Sequence, residues 1–223
     1  MNNVRLYYIK HQGKNDLAKI SEQQIEHWLS ELSSEKKSAV QRLLHISDRM
    51  ASLLATRLLK MCAVGEGLEK FCLADVDYPE KGKPGWQGID GFMDFNVSHS
   101  DNMIVVAVSR EMNVGVDIEK IRLLKRLNFK MVLSEDELNK IQQKPELFFD
   151  VWSKKEAVVK AADTVGIGRM RDVVLKDGQA SLDEAVWHLK DLDLDSQYVT
   201  YLATSKQVDE ITVKQVAISD LYL

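Results

Sequence analysis

Asp117 and Glu119 stand two residues apart in Val114-Gly115-Val116-Asp117-Ile118-Glu119. Successive side chains of a strand face opposite ways, so both carboxylates leave the same face while Val116 and Ile118 turn into the core. Two acids so placed repel each other unless a cation lies between them. Hard oxygen ligands of this kind suit Mg²⁺, which completes its shell with waters and substrate phosphates. A solvated strand face would show the same pair, so the pair alone decides nothing. A second group, Trp152-Ser153-Lys154-Lys155-Glu156-Ala157-Val158-Val159-Lys160, spaces Trp152, Glu156 and Lys160 as i, i+4 and i+8 along one helix stripe. Glu followed by Lys is also the order of a plain surface ion pair, which needs no aromatic beside it. A buried Trp152 would hold the carboxylate and ammonium in a fixed, partly desolvated place. The third group is Phe95-Asn96-Val97-Ser98-His99-Ser100, whose imidazole, hydroxyls and turn amides could donate to a phosphate or simply line a surface loop. The chain has no nucleophile elbow, Walker loop or dinucleotide fingerprint, and no triad spacing around Ser98 and Ser100.

The elements that must position these groups follow from periodicity and turn chemistry. Strands are predicted at 3–9, 70–76, 92–97, 103–109 and 114–118, with Ser98 to Asn102 as a hairpin link carrying His99. A polar loop is expected from the first strand to about residue 20. Helical spacing then runs through Ile25, Trp28, Leu29 and Leu32, and again through Val40, Leu43 and Leu44 after a Ser33 or Ser34 N-cap. Asp48 is read as the cap of a longer helix to about Val64, stopped by Gly65. Ser134-Glu135-Asp136-Glu137 has the form of a capping box, and the helix resumes after Pro145 to about Ala162. Further strands are expected near 171–176, 184–190, 197–204 and 211–217. Each half thus offers helices and antiparallel strands. The expected architecture is α+β, divided near residue 110 into 1–110 and 111–223, the second half bearing the metal ligands and both halves sharing one interface.

Composition narrows the class. The 223 residues are 45% apolar and 29% charged with 11 Gly and 3 Pro, which fits a folded globular chain and excludes disordered or collagen-like ones. A net charge of -4, from 30 basic and 34 acidic side chains, argues against non-specific nucleic-acid binding. The longest apolar run, Met103 to Val108, is too short to cross a bilayer, and the first residues lack the apolar stretch of a secretory signal. Cys62 and Cys72 have no metal-type spacing and are expected to be reduced thiols of a cytoplasmic protein.

Taken in order, Asn96-Val97-Ser98-His99-Ser100, Val114-Gly115-Val116-Asp117-Ile118-Glu119 and Trp152-Ser153-Lys154-Lys155-Glu156-Ala157 resemble the 4′-phosphopantetheinyl transferases. Within that family they resemble the larger Sfp-type enzymes, a pseudo-dimer in one chain, and the Glu-Ala ending of the helix motif resembles the W-x-x-K-E-A subgroup. Ser34-Glu35-Lys36-Lys37, Arg49 with Arg57, and Gly82-Lys83-Pro84 extend the resemblance over nearly the whole length. It implies a monomer that moves the phosphopantetheine arm of coenzyme A onto a serine of an apo carrier protein, releasing 3′,5′-ADP. The nucleophile then belongs to the partner, in keeping with the lack of an activated serine here. By position, Asp117, Glu119 and Glu156 would hold Mg²⁺ (or Mn²⁺). Lys160 would neutralise the pyrophosphate and leaving group, and Glu156 or a water on the metal would be the base. Ser98 and His99 would contact coenzyme A phosphates, and Lys36, Arg49 and Lys83 the 3′-phosphate and adenine end. Ala39 stands where relatives often carry a second basic residue.

Carriers of fatty-acid, polyketide or peptide synthases are acidic around the modified serine. The run Lys120 to Lys130, with five basic residues and no acid, and the pair Arg169 and Arg171 are suited to steer them. A solvated helix face explains the first run as well. A metal-dependent phosphohydrolase or nuclease using the same carboxylates would call for further acids and a basic channel. A carrier-binding module without catalysis would lack one of Asp117, Glu119, Glu156 and Lys160, and all are present.

Overall fold

A computed structural model of the chain describes residues 1–88, 91–124, 129–164 and 166–222. The strand Met103–Ser109 (β4) is buried at every position, which happens only to a strand covered on both faces. On one side, Ile104, Val106 and Val108 pack with the long helix Ile46–Gly65 (α4); on the other, Met103, Val105 and Ala107 meet a second sheet. The fold is α+β, built around those two layers.

The first sheet also contains Asn3–Lys10 (β1), Trp86–Gly88 (β2) and Gly91–Ser100 (β3), and is closed at its edge by the late strand Glu210–Gln215 (β10) in the order β10-β1-β4-β3-β2. The short helices Lys14–Leu17 (α1), Glu22–Ser30 (α2) and Ser34–Arg42 (α3) lead into α4. The second sheet runs β5-β9-β8-β7-β6, from Val114–Lys120 (β5), Val174–Lys176 (β6), Gln179–Leu182 (β7), Ala185–Asp191 (β8) and Tyr198–Thr204 (β9). The helices Glu135–Gln143 (α5) and Leu147–Ala161 (α6) complete it, α6 supplying Ala157, Val158 and Ala161 to its core. No helix among the described residues is long and apolar enough to cross a membrane.

Local chemistry accounts for most boundaries. Ser33 caps α3 by accepting from the Lys36 amide, and Ser134 and Glu137 close a reciprocal capping box on α5. Asp48 is not a cap but lies in the first turn of α4 behind His45, whose side chain makes no capping bond. That helix ends at Gly65, one residue past the expected end, and Gly67 rather than Gly65 takes the left-handed conformation (φ 79°). Residues 70–76 form no strand. Phe71 and Leu73 alternate with exposed Cys72 and Ala74, but the pattern breaks at Asp75, and Phe71, Leu73 and Val76 are buried in the core with α4 around a 3₁₀ turn at Leu73–Asp75. The polar loop after β1 contains α1, and β2 and β7 were too short for alternation to reveal. The strand β3 continues through Ser100, so Ser98, His99 and Ser100 are strand residues and the turn is Asp101-Asn102. The last strand departs from a division at residue 110: β10 pairs in parallel with β1, so residues 210–215 join the first sheet.

Candidate functional site

The two sheets meet where β3 runs beside β5, and side chains make the join. Every second residue of β3 accepts a backbone N–H from every second residue of β5. Asp94 Oδ2 accepts from Val114 (2.7 Å), Asn96 Oδ1 from Val116 (3.0 Å), Ser98 Oγ from Ile118 (3.3 Å) and Ser100 Oγ from Lys120 (3.1 Å). The outward amides of β5, an edge strand of its own sheet, are thereby satisfied away from water.

Alternation along β5 sends Val114, Val116 and Ile118 into the core between the sheets and Gly115, Asp117 and Glu119 toward α6. A Cβ on Gly115 would lie 2.1 Å from the Ala157 carbonyl oxygen and 2.5 Å from the Ala161 nitrogen, so only glycine allows the helix backbone this close. That approach brings the α6 stripe onto the strand acids. Lys160 Nζ donates to Asp117 Oδ1 at 2.8 Å, to Ser98 Oγ at 3.1 Å and to the Val116 carbonyl at 3.3 Å, and lies 3.2 Å from Glu156 Oε1. One ligand oxygen from each of Asp117, Glu119 and Glu156 falls within 4.8 Å of the others. Trp152, next on the stripe, packs on Phe129 and Phe148 and anchors the helix at that end.

Three acids around one ammonium leave excess negative charge in a half-enclosed place. Asp117 is only 1% exposed, and its Oδ2 is buried with no hydrogen-bond partner among the described residues. An orphaned carboxylate oxygen beside two further carboxylates fits a hard divalent cation. Burial, and after it the Asp117 charge, pushes the Glu119 carboxyl above its ordinary pKa. For Lys160, burial works against the ammonium, but Asp117 and Glu156 outweigh it and hold the pKa above the usual lysine value.

The odd residues of β3 face the other way, toward α4. Phe95, Val97 and His99 line a cleft of about 190 Å³ with Lys36, Thr56, Tyr78 and Pro84. Lys36 Nζ stands 4.9 Å over the Tyr78 ring, and burial lowers its pKa while pushing the Tyr78 hydroxyl up to about 12. His99, at the exposed rim, has its pKa lowered by partial burial; Asp48 opposes this, and the charges of Lys160 and Lys36 add to it. His99 thus lines the cleft while feeling the charge of Lys160 beside the acid cluster.

The other expected contacts are differently placed. Ser98 is buried, its hydroxyl donating to Asp117 Oδ1 at 3.0 Å. Lys83 is turned inward, paired with Asp94 and donating to the Val114 carbonyl at 2.6 Å, while its own amide donates to Asp163 Oδ1 at 2.5 Å just beyond α6. Arg49 is exposed, with Nε donating to the Leu43 carbonyl at 2.6 Å. Arg57, by contrast, is buried with Glu31 and over Trp28. Arg169 pairs with Asp172 and Asp183, whereas Arg171 is exposed. In the basic run, Lys120 pairs with Asp101, Arg122 lies 3.9 Å from Glu119, and Lys130 is exposed beside Met131; Lys125 and Arg126 lie outside the described residues. Sequence reasoning missed the seam itself. Its signal was present as short polar residues at 94, 96, 98 and 100 with Phe95 and Val97 between them. It also passed over Lys155, fully buried 2.7 Å from Glu137, which ties α6 to α5.

The sequence model of the 4′-phosphopantetheinyl transferase superfamily matches residues 113–215, the stretch from β5 through β10. Over 217 residues the chain is 28% identical to the 4′-phosphopantetheinyl transferase psf-1 of Bacillus pumilus, covering 91% of each protein. It is 29% identical to a 4′-phosphopantetheinyl transferase of Bacillus subtilis, over 76% of this chain and 80% of that one. With the 4′-phosphopantetheinyl transferase AcpT of Salmonella typhimurium it shares 34% identity over half of its length and 58% of the relative's.

Proposed function

We propose that the chain is a 4′-phosphopantetheinyl transferase, one that transfers the phosphopantetheine arm of coenzyme A to a serine hydroxyl of an apo carrier protein, a reading supported by the superfamily match over residues 113–215 and by the relatives that carry that name. The observation that carries the reading into this molecule is that one oxygen each of Asp117, Glu119 and Glu156 lie within 4.8 Å of one another, with Lys160 on Asp117 Oδ1 and with Asp117 Oδ2 buried without a hydrogen-bond partner among the described residues. In the reaction the carrier serine oxygen bonds to the phosphorus bearing the pantetheine arm. The bond from that phosphorus to its bridging oxygen breaks, and 3′,5′-ADP departs with the electron pair. The serine proton goes to Glu156 or to water.

Asp117, Glu119 and Glu156 would hold Mg²⁺, or Mn²⁺ in its place, and the ion when bound supplies positive charge to the pyrophosphate. Lys160, kept charged by its two acid neighbours, adds a fixed cation where negative charge grows. Lys36 and His99 line the cleft that would receive the nucleotide end, with Arg49 on the following helix. Ser98 and Lys83 can take up phosphate contacts only by giving up present partners, Asp117 for one and Asp94 for the other. Exposed Arg171 and Lys130, with Ile121, Leu123 and Met131, offer an acidic carrier a mixed basic and apolar surface. One chain supplies both sides of the site, which favours a monomer, and both cysteines are free thiols, as in a cytoplasmic protein.

The test is incubation with coenzyme A, Mg²⁺ and a panel of apo carriers, read by intact mass and by nucleotide chromatography. The reading expects a carrier to gain the arm with one equivalent of 3′,5′-ADP released. Coenzyme A cleavage with no carrier gaining mass would replace it with a phosphohydrolase.

A further inference from the structure

The four rungs between β3 and β5 are of two kinds. Asn96 and Asp94 meet their β5 amides only as acceptors. Ser98 and Ser100 do two things with one oxygen. Ser98 Oγ accepts the Ile118 amide and donates to Asp117 Oδ1 at 3.0 Å; Ser100 Oγ accepts the Lys120 amide and donates to Glu119 Oε2 at 3.1 Å. Each serine therefore clamps the carboxylate of one residue and the backbone of the next, 19 and 20 positions along the chain. A hydroxyl has one hydrogen and two lone pairs, so accepting the amide leaves its hydrogen free for the acid. An aspartate in that rung would repel the acid instead.

From this pairing we propose that Ser100 is a positioning residue, fixing the rotamer of Glu119 so that its carboxylate joins Asp117 and Glu156 in the metal-binding cluster. Ser100 is 8% exposed, so water cannot readily replace its hydroxyl. Glu119 has a long side chain with three rotatable bonds, whereas Asp117 is already held by Ser98 and Lys160. Glu119 is the ligand with most to lose if its outer partner goes. The proposal rests on the metal reading above, and it concerns how the ligand is held rather than which residues are ligands.

The test compares the two kinds of rung in the full chain with coenzyme A present and no carrier. Mn²⁺ binding is followed by the electron paramagnetic resonance signal of the free ion, and folding by thermal melting. Ser100→Ala is expected to weaken Mn²⁺ binding by about tenfold, the low end for an outer partner of a metal ligand. Asn96→Ala, which removes a rung without touching an acid, should lower the melting temperature and leave Mn²⁺ binding as in the parent. Ser100→Thr keeps the hydroxyl and should bind Mn²⁺ like the parent. In turnover, Ser100→Ala should recover at high Mg²⁺ with the carrier KM unchanged. Unchanged Mn²⁺ affinity in Ser100→Ala, equal losses in Ser100→Ala and Asn96→Ala, or a Ser100→Thr as weak as Ser100→Ala would each overturn the proposal. A parent chain that binds no Mn²⁺ would overturn the metal reading itself, and the positioning role with it.

Discussion

Two of the joins between the halves of the molecule are made by different means. At one, β10 lies against β1 in parallel register from Asn3↔Glu210 to Tyr8↔Gln215, main chain to main chain. At the other, β3 and β5 are bridged by side chains, with Asp94, Asn96, Ser98 and Ser100 standing in for a backbone partner. A backbone ladder is indifferent to residue type at exposed positions and does no chemistry. A side-chain ladder depends on each residue, but it holds the strands apart and leaves donors and charges facing the gap. The acid cluster lies at the second join.

The largest effect should come from the cluster. Asp117→Ala is expected to cut kcat by more than the roughly hundredfold typical of losing an outer partner, with circular dichroism unchanged. Excess chelator should mimic it and added Mg²⁺ or Mn²⁺ reverse the chelator; full activity under chelation would remove the metal from the scheme. Next comes the end of the side-chain join. Lys83→Ala leaves Asp94, whose side chain is 14% exposed, without its cation. A loss of about 3–5 kcal/mol follows from breaking such a pair on one side. For a chain of this size that is a fall in Tm on the order of 10 °C, partly restored in the Lys83→Ala, Asp94→Asn double variant. An unchanged Tm with a raised KM for coenzyme A would instead make Lys83 a phosphate ligand.

A smaller effect has the opposite sign. Glu119 is protonated more readily in the folded than in the unfolded chain, because of burial and then Asp117. Its contribution to stability is whole below the unfolded carboxylate pKa and is lost as pH rises through the folded one. Without metal at neutral pH, Glu119→Gln should therefore melt above the parent, by roughly 2–4 °C for each kcal/mol of strain relieved, while losing activity. At a pH below the ordinary carboxylate range the two should converge; a gap that does not change with pH would mean the charge is not strained. The smallest effect belongs to the backbone join. Thr212→Ala on exposed β10 should change stability by no more than about 0.5 kcal/mol and leave turnover alone.

What could be seen in the residues beforehand follows the same contrast. Asp117 with Glu119, and Glu156 with Lys160, were legible because a strand repeats every two residues and a helix every three to four. The structure brings those pairs together. The α+β class, the capping box at Ser134 and the β3–β4 hairpin were legible for the same local reasons. Lys83 was not, since its direction is set by Asp94 and the Val114 carbonyl across the seam. The apolar alternation of β3 fades after Val97, so His99 resembled a link residue. Its strand continues because Ser98 and Ser100 find partners on β5, and nothing local announces them. Parallel pairing of β10 with β1 has no local signature at all.

That last pairing sets an order of events when the protein is made. Asn2 and Asp209, which are joined at the start of the β1–β10 contact, are 207 residues apart in the chain. At about 5–20 residues per second, a ribosome takes roughly 10–40 s to deliver the second after the first. Through that interval β1 can pair with β4 on one side while its other edge stays open, a template for any passing strand. The sheet that begins the chain is thus finished last. A nascent chain stalled before β10 is the form in which this protein should be most exposed to aggregation and most dependent on chaperones.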